Sequence, residues 1–370
     1  FPFIMVAVEI LISNFIFGFP WVTFSLILAD NSIGLFLIKI FGKNFTSLLV
    51  LYFYLFPLLF FKYNFIKENK KFIYYSFSSV FLLFFIFISL NYTIKVEKNS
   101  VNLKVDIYQI NKSVKINNND ELMKIYETIK RNITNSEADL IVFAENNFPF
   151  LVENNKNFNL QKFIKPNQTL IIGGTRKEKN NFYNTLFSIN TKSVDFFDKK
   201  ILVPFGEFLP FRKNLQFMKS ISGENDFSKG LKDRIININN KISIMPVICY
   251  EIIFSSKLLT EINKNSDFII NITNDAWFGN YSGPYQHLYL TKLRASEFNK
   301  PIIRVSNNGI SAIFNKNGKL LVDTKLNEVD KINNNLIYYK STNLVSKHKY
   351  FNIFIIFIIL YIIYLFVKKD

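Results

Sequence analysis

The sequence has few of the residues that cross-link proteins or bind metals. Its 370 residues include one cysteine, Cys249, and two histidines, His287 and His348. A single thiol cannot form an intramolecular disulfide, so no disulfide framework holds the chain together. No Cys/His cluster with zinc-site spacing is present. The sequence therefore excludes a disulfide-stapled domain and a zinc-finger type of nucleic-acid-binding protein.

Acidic residues are scarce relative to basic ones. The chain has 45 Lys and Arg against 28 Asp and Glu, a formal net charge of +17. A charge of this size attracts nucleic acid or an anionic membrane surface. No aromatic RNA-binding signature accompanies it, and the Lys-rich composition runs along the whole chain. We therefore predict no nucleic-acid partner and attribute part of the charge to background composition.

Long apolar runs are abundant, in a chain that is 49% hydrophobic and has 43 Phe. Residues 45–61, 72–90 and 350–367 are each long enough to cross a bilayer. Residues 1–16 are typical of the tail of another span, and the interrupted run 26–40 suits a re-entrant or interfacial segment. We expect four spans, with five as the alternative. Packing of the same runs as buried core helices is the competing interpretation.

The lysines between the runs predict an orientation. The segment 62–71 carries four lysines and is expected in the cytoplasm, because short cytoplasmic loops are enriched in basic residues. The predicted domains are an incomplete membrane domain at 1–94, a globular domain at 95–347 on the opposite side, and a last transmembrane helix at 348–370. The chain begins at Phe1 inside an apolar run, without Met, so we expect the natural N-terminus to be missing.

The middle of the chain has the pattern of an α/β protein. Short apolar runs predict strands at 103–110, 139–144, 169–173, 242–248, 267–272 and 301–305. A helix is predicted between the first two strands, since apolar residues recur there at helical spacing after the cap-like pair Asn119-Asp120. Strands alternating with helices and polar loops predict an α/β sandwich.

Polar residues follow several of these strands, where α/β proteins commonly place their sites. Glu145 follows the second predicted strand and Cys249 the fourth. A cysteine attacks as the thiolate, so it needs a base or a nearby positive charge. One arrangement is a Cys–His dyad with His287. The other is a carboxylate base with a lysine from the Lys199-Lys200 pair.

Five motifs follow one another along the chain: AENNFP (144–149), KKILVPFGEFLP (199–210), CYE (249–251), NDAWFG (274–279) and RASEFNKPIIRVSNNG (294–309). With these motifs in this order, the chain resembles the apolipoprotein N-acyltransferases of the nitrilase superfamily. The similarity extends over about 100–325. Upstream, FGFPW (17–21) is similar to a membrane segment of the same family, and Glu9 stands where that segment carries an acidic residue.

The resemblance implies a fold and a set of site residues. The fold is a nitrilase-type αββα sandwich flanked by transmembrane helices. Glu145 matches the general base, Lys199 the lysine that stabilises the oxyanion, and Cys249 the nucleophile. Further positions match supporting residues of the family, namely Glu207, Tyr250 and Glu251. Trp277 and the turn 307–309 match motif positions that we interpret as architectural.

The resemblance also implies a reaction. An acyl chain passes from a phospholipid, through a Cys thioester, to the N-terminal amine of a diacylglyceryl-cysteine apolipoprotein, without a metal or diffusible cofactor. The implied location is the bacterial inner membrane, multi-pass, with the catalytic domain on the periplasmic side. A membrane-tethered amidase that hydrolyses a small C–N substrate is the alternative, and a lipid-binding protein without activity is a second.

Three positions depart from the family pattern. Ala144 stands where Pro usually precedes the catalytic Glu, Phe197 where Tyr is common, and Ile201 where His is frequent. None of them removes a charged catalytic group, so they affect positioning rather than chemistry. The family also has several more spans upstream.

Overall fold

The computed structural model describes residues 1–15, 17–61, 100–113, 118–153, 159–212, 225–239 and 241–339. The spans predicted at 72–90 and 350–367 lie outside these residues, as do the lysine-rich segment 62–71 and His348.

The described residues form helices and two groups of strands. The helices are α1 (Pro2–Asn14), α2 (Ser32–Phe61), α3 (Asn119–Asn135), α4 (Ser255–Leu258) and α5 (Ser282–Glu297). The two groups follow chain order and are not the two sheets. Before Lys199 the strands are β1 (Ser100–Gln109), β2 (Leu140–Phe143), β3 (Val152–Glu153), β4 (Thr169–Glu178), β5 (Asn181–Ile189) and β6 (Val194–Asp198). After Arg234 they are β7 (Ile236–Ile238), β8 (Ile242–Ile248), β9 (Phe268–Thr273), β10 (Ile302–Ser306), β11 (Ala312–Phe314), β12 (Leu320–Asp323) and β13 (Asp330–Tyr339).

The strands make two sheets. One has the order β13-β1-β2-β4-β5-β6, with β3 beside β4, and the other has the order β12-β11-β10-β9-β8-β7. The neighbours β1, β2 and β4 are parallel, and so are β8, β9 and β10. All six strands predicted from the sequence are present, which confirms that part of the prediction.

The two sheets face each other, with helices on their outer sides. Strand β2 shows the layering, because successive side chains point to opposite faces. Val142 belongs to the cluster between the sheets, whereas Phe143 packs outside with Ile129 and Ile133 of α3. On the far side, α5 packs against β10. The mixed α/β sandwich expected from the sequence is therefore confirmed.

The N-terminal segment contains a long apolar helix. α2 begins at Ser32, where the side chain of Asn31 accepts a hydrogen bond from Ile33 N at 2.8 Å. A kink at Gly42, with a φ of 76° and a ψ of 171°, divides the helix, so the part beyond the kink begins close to the predicted start at residue 45. Ser32–Leu55 is the one helix of the described residues that is long and apolar enough to cross a membrane, and 67% of its most apolar stretch is buried in the protein, as in the core helix of a globular domain.

The start of α2 packs against the sandwich. Ser296 Oγ in α5 donates to Leu35 O at 2.7 Å, and Lys39 Nζ donates to Asn317 Oδ1 at 2.7 Å. The loop before α2 is also attached, because Trp21 Nε1 donates to Gln286 Oε1 at 2.7 Å. These bonds hold the N-terminal segment beside α5.

Candidate active site

Glu145 lies at the carboxyl end of β2, and its side chain is buried. It accepts hydrogen bonds from Asn184 Nδ2 at 2.7 Å and from Lys199 Nζ at 3.4 Å. The neighbouring strand must pass close to it: a Cβ atom at Gly173 would lie 2.6 Å from the Glu145 Cα. Burial raises the pKa of Glu145, and the ammonium of Lys199 opposes that rise.

Lys199 directly follows β6, and its side chain is 1% exposed. Its Nζ donates to Glu207 Oε1 at 2.9 Å, and the other Glu207 oxygen accepts from Val203 N at 2.9 Å. Burial by itself would lower the pKa of Lys199, but the carboxylates of Glu207 and Glu145 outweigh it and raise that pKa. The lysine therefore remains an ammonium ion inside the protein.

Cys249 occupies a sharp turn between β8 and a short 3₁₀ turn, Cys249–Ile253. Its φ of +48° is in the left-handed region, which a residue with a side chain adopts only where its surroundings fix it. The charge of the Glu145 carboxylate acts on the thiol, so the two side chains lie in one site. Burial, together with the charge of Glu145, raises the pKa of the thiol to about 12. The thiol is therefore protonated at rest, with a carboxylate beside it to accept its proton.

The buried carboxylate of Glu251 holds this turn in place through hydrogen bonds. Its carboxylate accepts from Ile248 N at 2.9 Å, from Lys200 N at 2.9 Å and from Ile201 N at 3.0 Å. Arg234 donates to both of its oxygens at 2.7 Å. Burial would raise the pKa of Glu251, but the Arg234 pair outweighs it and lowers that pKa. Glu251 thus connects the Cys249 turn to the segment that follows Lys199.

Tyr250 connects the same turn to the N-terminal segment. Its hydroxyl donates to Gly18 O at 3.0 Å, and its ring stacks on that of Phe19. Burial raises the pKa of Tyr250 to about 12, so the hydroxyl remains a donor. Trp21, two residues further, stacks on the ring of His287. The loop between α1 and α2 therefore borders the site.

His287 is not placed as the base of a Cys–His dyad. Its Nδ1 lies 2.8 Å from Asp275 Oδ1 and 3.2 Å from Arg304 Nη2. Its Nε2 makes no hydrogen bond within the described residues, so it does not bond to the Cys249 thiol. Burial lowers the pKa of His287. The geometry therefore favours the carboxylate and lysine arrangement over the dyad.

The two motif positions interpreted as architectural differ in the structure. Trp277 is 72% exposed, so its side chain does not pack in the core, and the architectural interpretation is wrong for this residue. Asn307 fits it, because its Oδ1 accepts from Asn147 Nδ2 at 3.0 Å and its Nδ2 donates to Lys112 O at 2.8 Å. Gly309 fits too, since a Cβ there would lie 2.1 Å from Asp275 Oδ2.

Sequence reasoning missed two residues of the site. Asn184 bridges two carboxylates through one nitrogen, with 2.7 Å to Glu145 and 2.7 Å to Glu207. Arg234 is the partner of Glu251. Neither stands in a recognisable motif, and a single Asn carries no signal in so Asn-rich a chain. Only the pairing of β5 with β6, which places Asn184 beside Lys199, reveals its position.

Comparison with known proteins identifies relatives of this chain. It is 39% identical over 173 residues to the apolipoprotein N-acyltransferase of Rickettsia typhi, covering 45% of this chain and 35% of that protein. It is 32% identical over 238 residues to the apolipoprotein N-acyltransferase of Rhizobium leguminosarum, covering 59% and 44%. The matched part thus spans less than half the length of these relatives.

A solved structure and a family profile complete the comparison. A nitrilase superfamily member from Saccharomyces cerevisiae covers 64% of this chain and 90% of its own, with 20% identity and a TM-score of 0.48. The profile of the carbon-nitrogen hydrolases matches residues 104–333, which include every candidate site residue of the sandwich. The chain belongs to the carbon-nitrogen hydrolase family.

Proposed function

We propose that this chain transfers an acyl chain from a phospholipid, through a thioester on Cys249, to the N-terminal amine of a diacylglyceryl-cysteine apolipoprotein. The observation that carries the proposal is the meeting of Glu145, Lys199 and Cys249 in one buried site beside the N-terminal segment. The name shared by the Rickettsia and Rhizobium relatives supports it.

In the first half-reaction the thiol attacks the ester. Glu145 accepts the proton of Cys249, which becomes the nucleophile at the phospholipid carbonyl. Lys199, held as an ammonium ion by Glu207, stabilises the negative oxygen of the tetrahedral intermediate. Such an interaction contributes about 3–4 kcal/mol in comparable sites. Glu145 then returns the proton to the departing lysophospholipid alcohol.

In the second half-reaction the lipoprotein amine attacks the thioester. The amine nitrogen bonds to the carbonyl carbon and gives one proton to Glu145. The C–S bond then breaks, and Cys249 recovers that proton. The raised pKa of Glu145 suits both steps, because a base whose pKa lies nearer to that of its partner transfers protons more readily.

We further propose the three-part organisation of 1–94, 95–347 and 348–370, anchored in the bacterial inner membrane with the sandwich on the periplasmic side. Both substrates are lipids, so the site must open toward the bilayer. Exposed aromatic side chains near the site support this placement, among them Phe19 (52% exposed), Phe205 (42%) and Phe211 (76%).

Mass spectrometry of the purified chain in detergent tests the function. The chain is incubated with a phosphatidylethanolamine that carries a labelled acyl group. We expect a hydroxylamine-sensitive acyl adduct on Cys249 that a diacylated lipopeptide discharges as an amide. Discharge by water alone, with no amide product, would favour the amidase alternative, and absence of any adduct would contradict acyl transfer. Cys249→Ala provides the control.

A further inference from the structure

Asn184 has a side-chain orientation that its partners determine. Its two hydrogen-bonded neighbours at 2.7 Å are the Oε1 atoms of Glu145 and Glu207. Carboxylates accept hydrogen bonds and cannot donate them when ionised, so the atom between them must be the NH₂ nitrogen. Both hydrogens of Nδ2 are then used, one for each carboxylate. The carbonyl oxygen, Oδ1, is consequently fixed on the opposite side of the amide.

That oxygen has no hydrogen-bond partner within the described part of the chain, although Asn184 is only 1% exposed. Buried polar atoms are nearly always paired, and an unpaired one destabilises the folded state. An acceptor left open next to the general base suggests that a substrate atom supplies the missing donor. The donor must be an N–H or O–H group that approaches Glu145.

The two proposed half-reactions differ in how many hydrogens the attacking atom carries. The Cys249 thiol has one, and Glu145 accepts it. A primary amine has two on its attacking nitrogen, so one remains after Glu145 has accepted the other. On Glu207, Oε1 is the oxygen that shares the Lys199 and Asn184 nitrogens with Glu145, and these two bonds occupy both of its acceptor positions, while Oε2 accepts from Val203 N. Asn184, which donates to Glu145 through Nδ2, keeps an open acceptor in Oδ1.

We infer that Oδ1 of Asn184 accepts a hydrogen bond from the acceptor amine and orients its lone pair toward the Cys249 thioester. This inference rests on the proposed function. The two polar atoms of the Asn184 side chain then have different roles. Its nitrogen holds Glu145 and Glu207 in place for both half-reactions, whereas its oxygen acts on the amine only. The chain selects a primary amine in the second half-reaction, because a secondary amine keeps no N–H after its proton passes to Glu145.

The test combines a protein variant with a change in the nucleophile. The Cys249 thioester is first formed with labelled phosphatidylethanolamine and freed of donor. It is then discharged by a diacylglyceryl-cysteine peptide with a primary amine or by its N-methyl derivative, and the ratio of the two rate constants is measured. We expect the native chain to prefer the primary amine, and Asn184→Ala to reduce that preference by about tenfold, the loss of about one hydrogen bond. The methyl group's bulk affects both proteins and cancels in the comparison.

Asn146→Ala is the matched control. Asn146 also has a buried Oδ1 without a partner in the described residues, and it directly follows Glu145, but it makes no bond to that carboxylate. We expect this variant to keep the native preference. Asn184→Ser provides a second variant should the alanine variant fail to fold, and it too should reduce the preference.

Each result decides between the roles. Equal slowing of thioester formation and of both discharge reactions in Asn184→Ala would overturn the amine contact and leave Asn184 as a positioning residue for Glu145. A native chain that discharges equally fast with both amines would overturn it without any variant, and so would loss of the preference in Asn146→Ala alone. Failure of the native chain to form a thioester would instead contradict the proposed function.

Discussion

At the scale of single residues, the site depends on a buried charge balance. Two carboxylates, Glu145 and Glu207, share one ammonium group, that of Lys199, with separations of 3.4 and 2.9 Å. Two like charges cannot both remain ionised in a desolvated site without such a partner. The same ammonium group faces the reacting carbonyl in the proposed mechanism. Its removal therefore affects the base and the oxyanion together.

Replacing Lys199 by Met tests this dual role. We expect thioester formation on Cys249 to slow by at least about 10²–10³-fold, the effect of removing one oxyanion donor, because Glu145 also takes up a proton. The measurement is the rate of acyl-adduct formation by mass spectrometry. Lys200→Met is the control, since Lys200 contributes its backbone N–H to Glu251. Comparable slowing in both variants would show that general positive charge, rather than Lys199, is required.

The ionisation of Glu251 makes the free energy of unfolding depend on pH. Its pKa is lowered in the folded state from 4.5, so its contribution is present above that value and is lost as the pH falls through the lowered pKa. Glu251→Gln leaves Arg234 buried and unpaired, and we expect a loss of about 3–5 kcal/mol at pH 7. Urea unfolding in detergent at several pH values measures the difference. The difference in unfolding free energy between the native chain and Glu251→Gln should shrink as the pH falls below 4, because protonated Glu resembles Gln.

Glu178→Gln is the control for that experiment. Its carboxylate also pairs with an arginine, Arg176, at 2.8 Å, but its side chain is 53% exposed. An exposed ion pair is screened by water, so we expect little change in unfolding. A difference between native chain and Glu251→Gln that stays constant down to pH 2 would contradict the linkage.

At the scale of elements, the loop between α1 and α2 connects the apolar segment to the site. Glu9 in α1 accepts from Thr23 Oγ1 at 2.5 Å and from Phe24 N at 3.2 Å, which folds the loop back. Gly18, near its tip, accepts from the Tyr250 hydroxyl. The turn that carries the nucleophile is therefore supported from the N-terminal side as well as by Glu251.

Gly18→Ala tests that support. Gly18 has a φ of +71°, and a Cβ atom there would lie 2.3 Å from Ser13 O. We expect the left-handed conformation to cost about 1–2 kcal/mol, and the clash to displace the loop and slow thioester formation. Gly279→Ala isolates the first effect, because Gly279 has a φ of +65° and nothing lies within 4 Å of its Cβ position. Thermal unfolding and adduct formation are measured for both. Equal behaviour of the two variants would show that the loop tip is not required.

The strands that the sequence predicts contain runs or alternations of apolar residues. β2 is a continuous run of four buried residues that leads to Glu145, whereas in β1 the polar residues Lys104 and Asp106 alternate with apolar ones. The strands missed by the prediction mix polar and apolar residues, as in β5, which carries Asn184. The part of α2 before the kink at Gly42 was predicted as a re-entrant or interfacial segment, because polar residues at 30–32 interrupt the apolar run 26–40. In the structure this part is helical and is attached to α5 through the hydrogen bond of Ser296 to Leu35. Tertiary contacts of this kind cannot be read from local pattern.

At the scale of the whole molecule, the sandwich and the apolar N-terminal segment form one arrangement. α2 packs against α5, which also packs on β10 and the turn of Cys249. The site thus lies on the side of the sandwich where the apolar segment attaches. Under the proposed function, with α2 in the bilayer, a lipid substrate would reach the site over a short distance. The proposed orientation across the membrane would then decide which substrates are available.

Labelling of single cysteines tests that orientation. Cys249→Ala produces a chain without cysteine, since Cys249 is its only one. Into it we place Lys325→Cys, in the sandwich where the Lys325 side chain is 82% exposed, or Lys67→Cys, in the lysine-rich segment. Spheroplasts are treated with a membrane-impermeant maleimide before or after lysis. We expect position 325 to react in intact spheroplasts and position 67 only after lysis, because basic loops remain in the cytoplasm. The reverse pattern would place the sandwich in the cytoplasm and remove its access to lipoproteins, while reaction of both positions in intact spheroplasts would contradict a span between them.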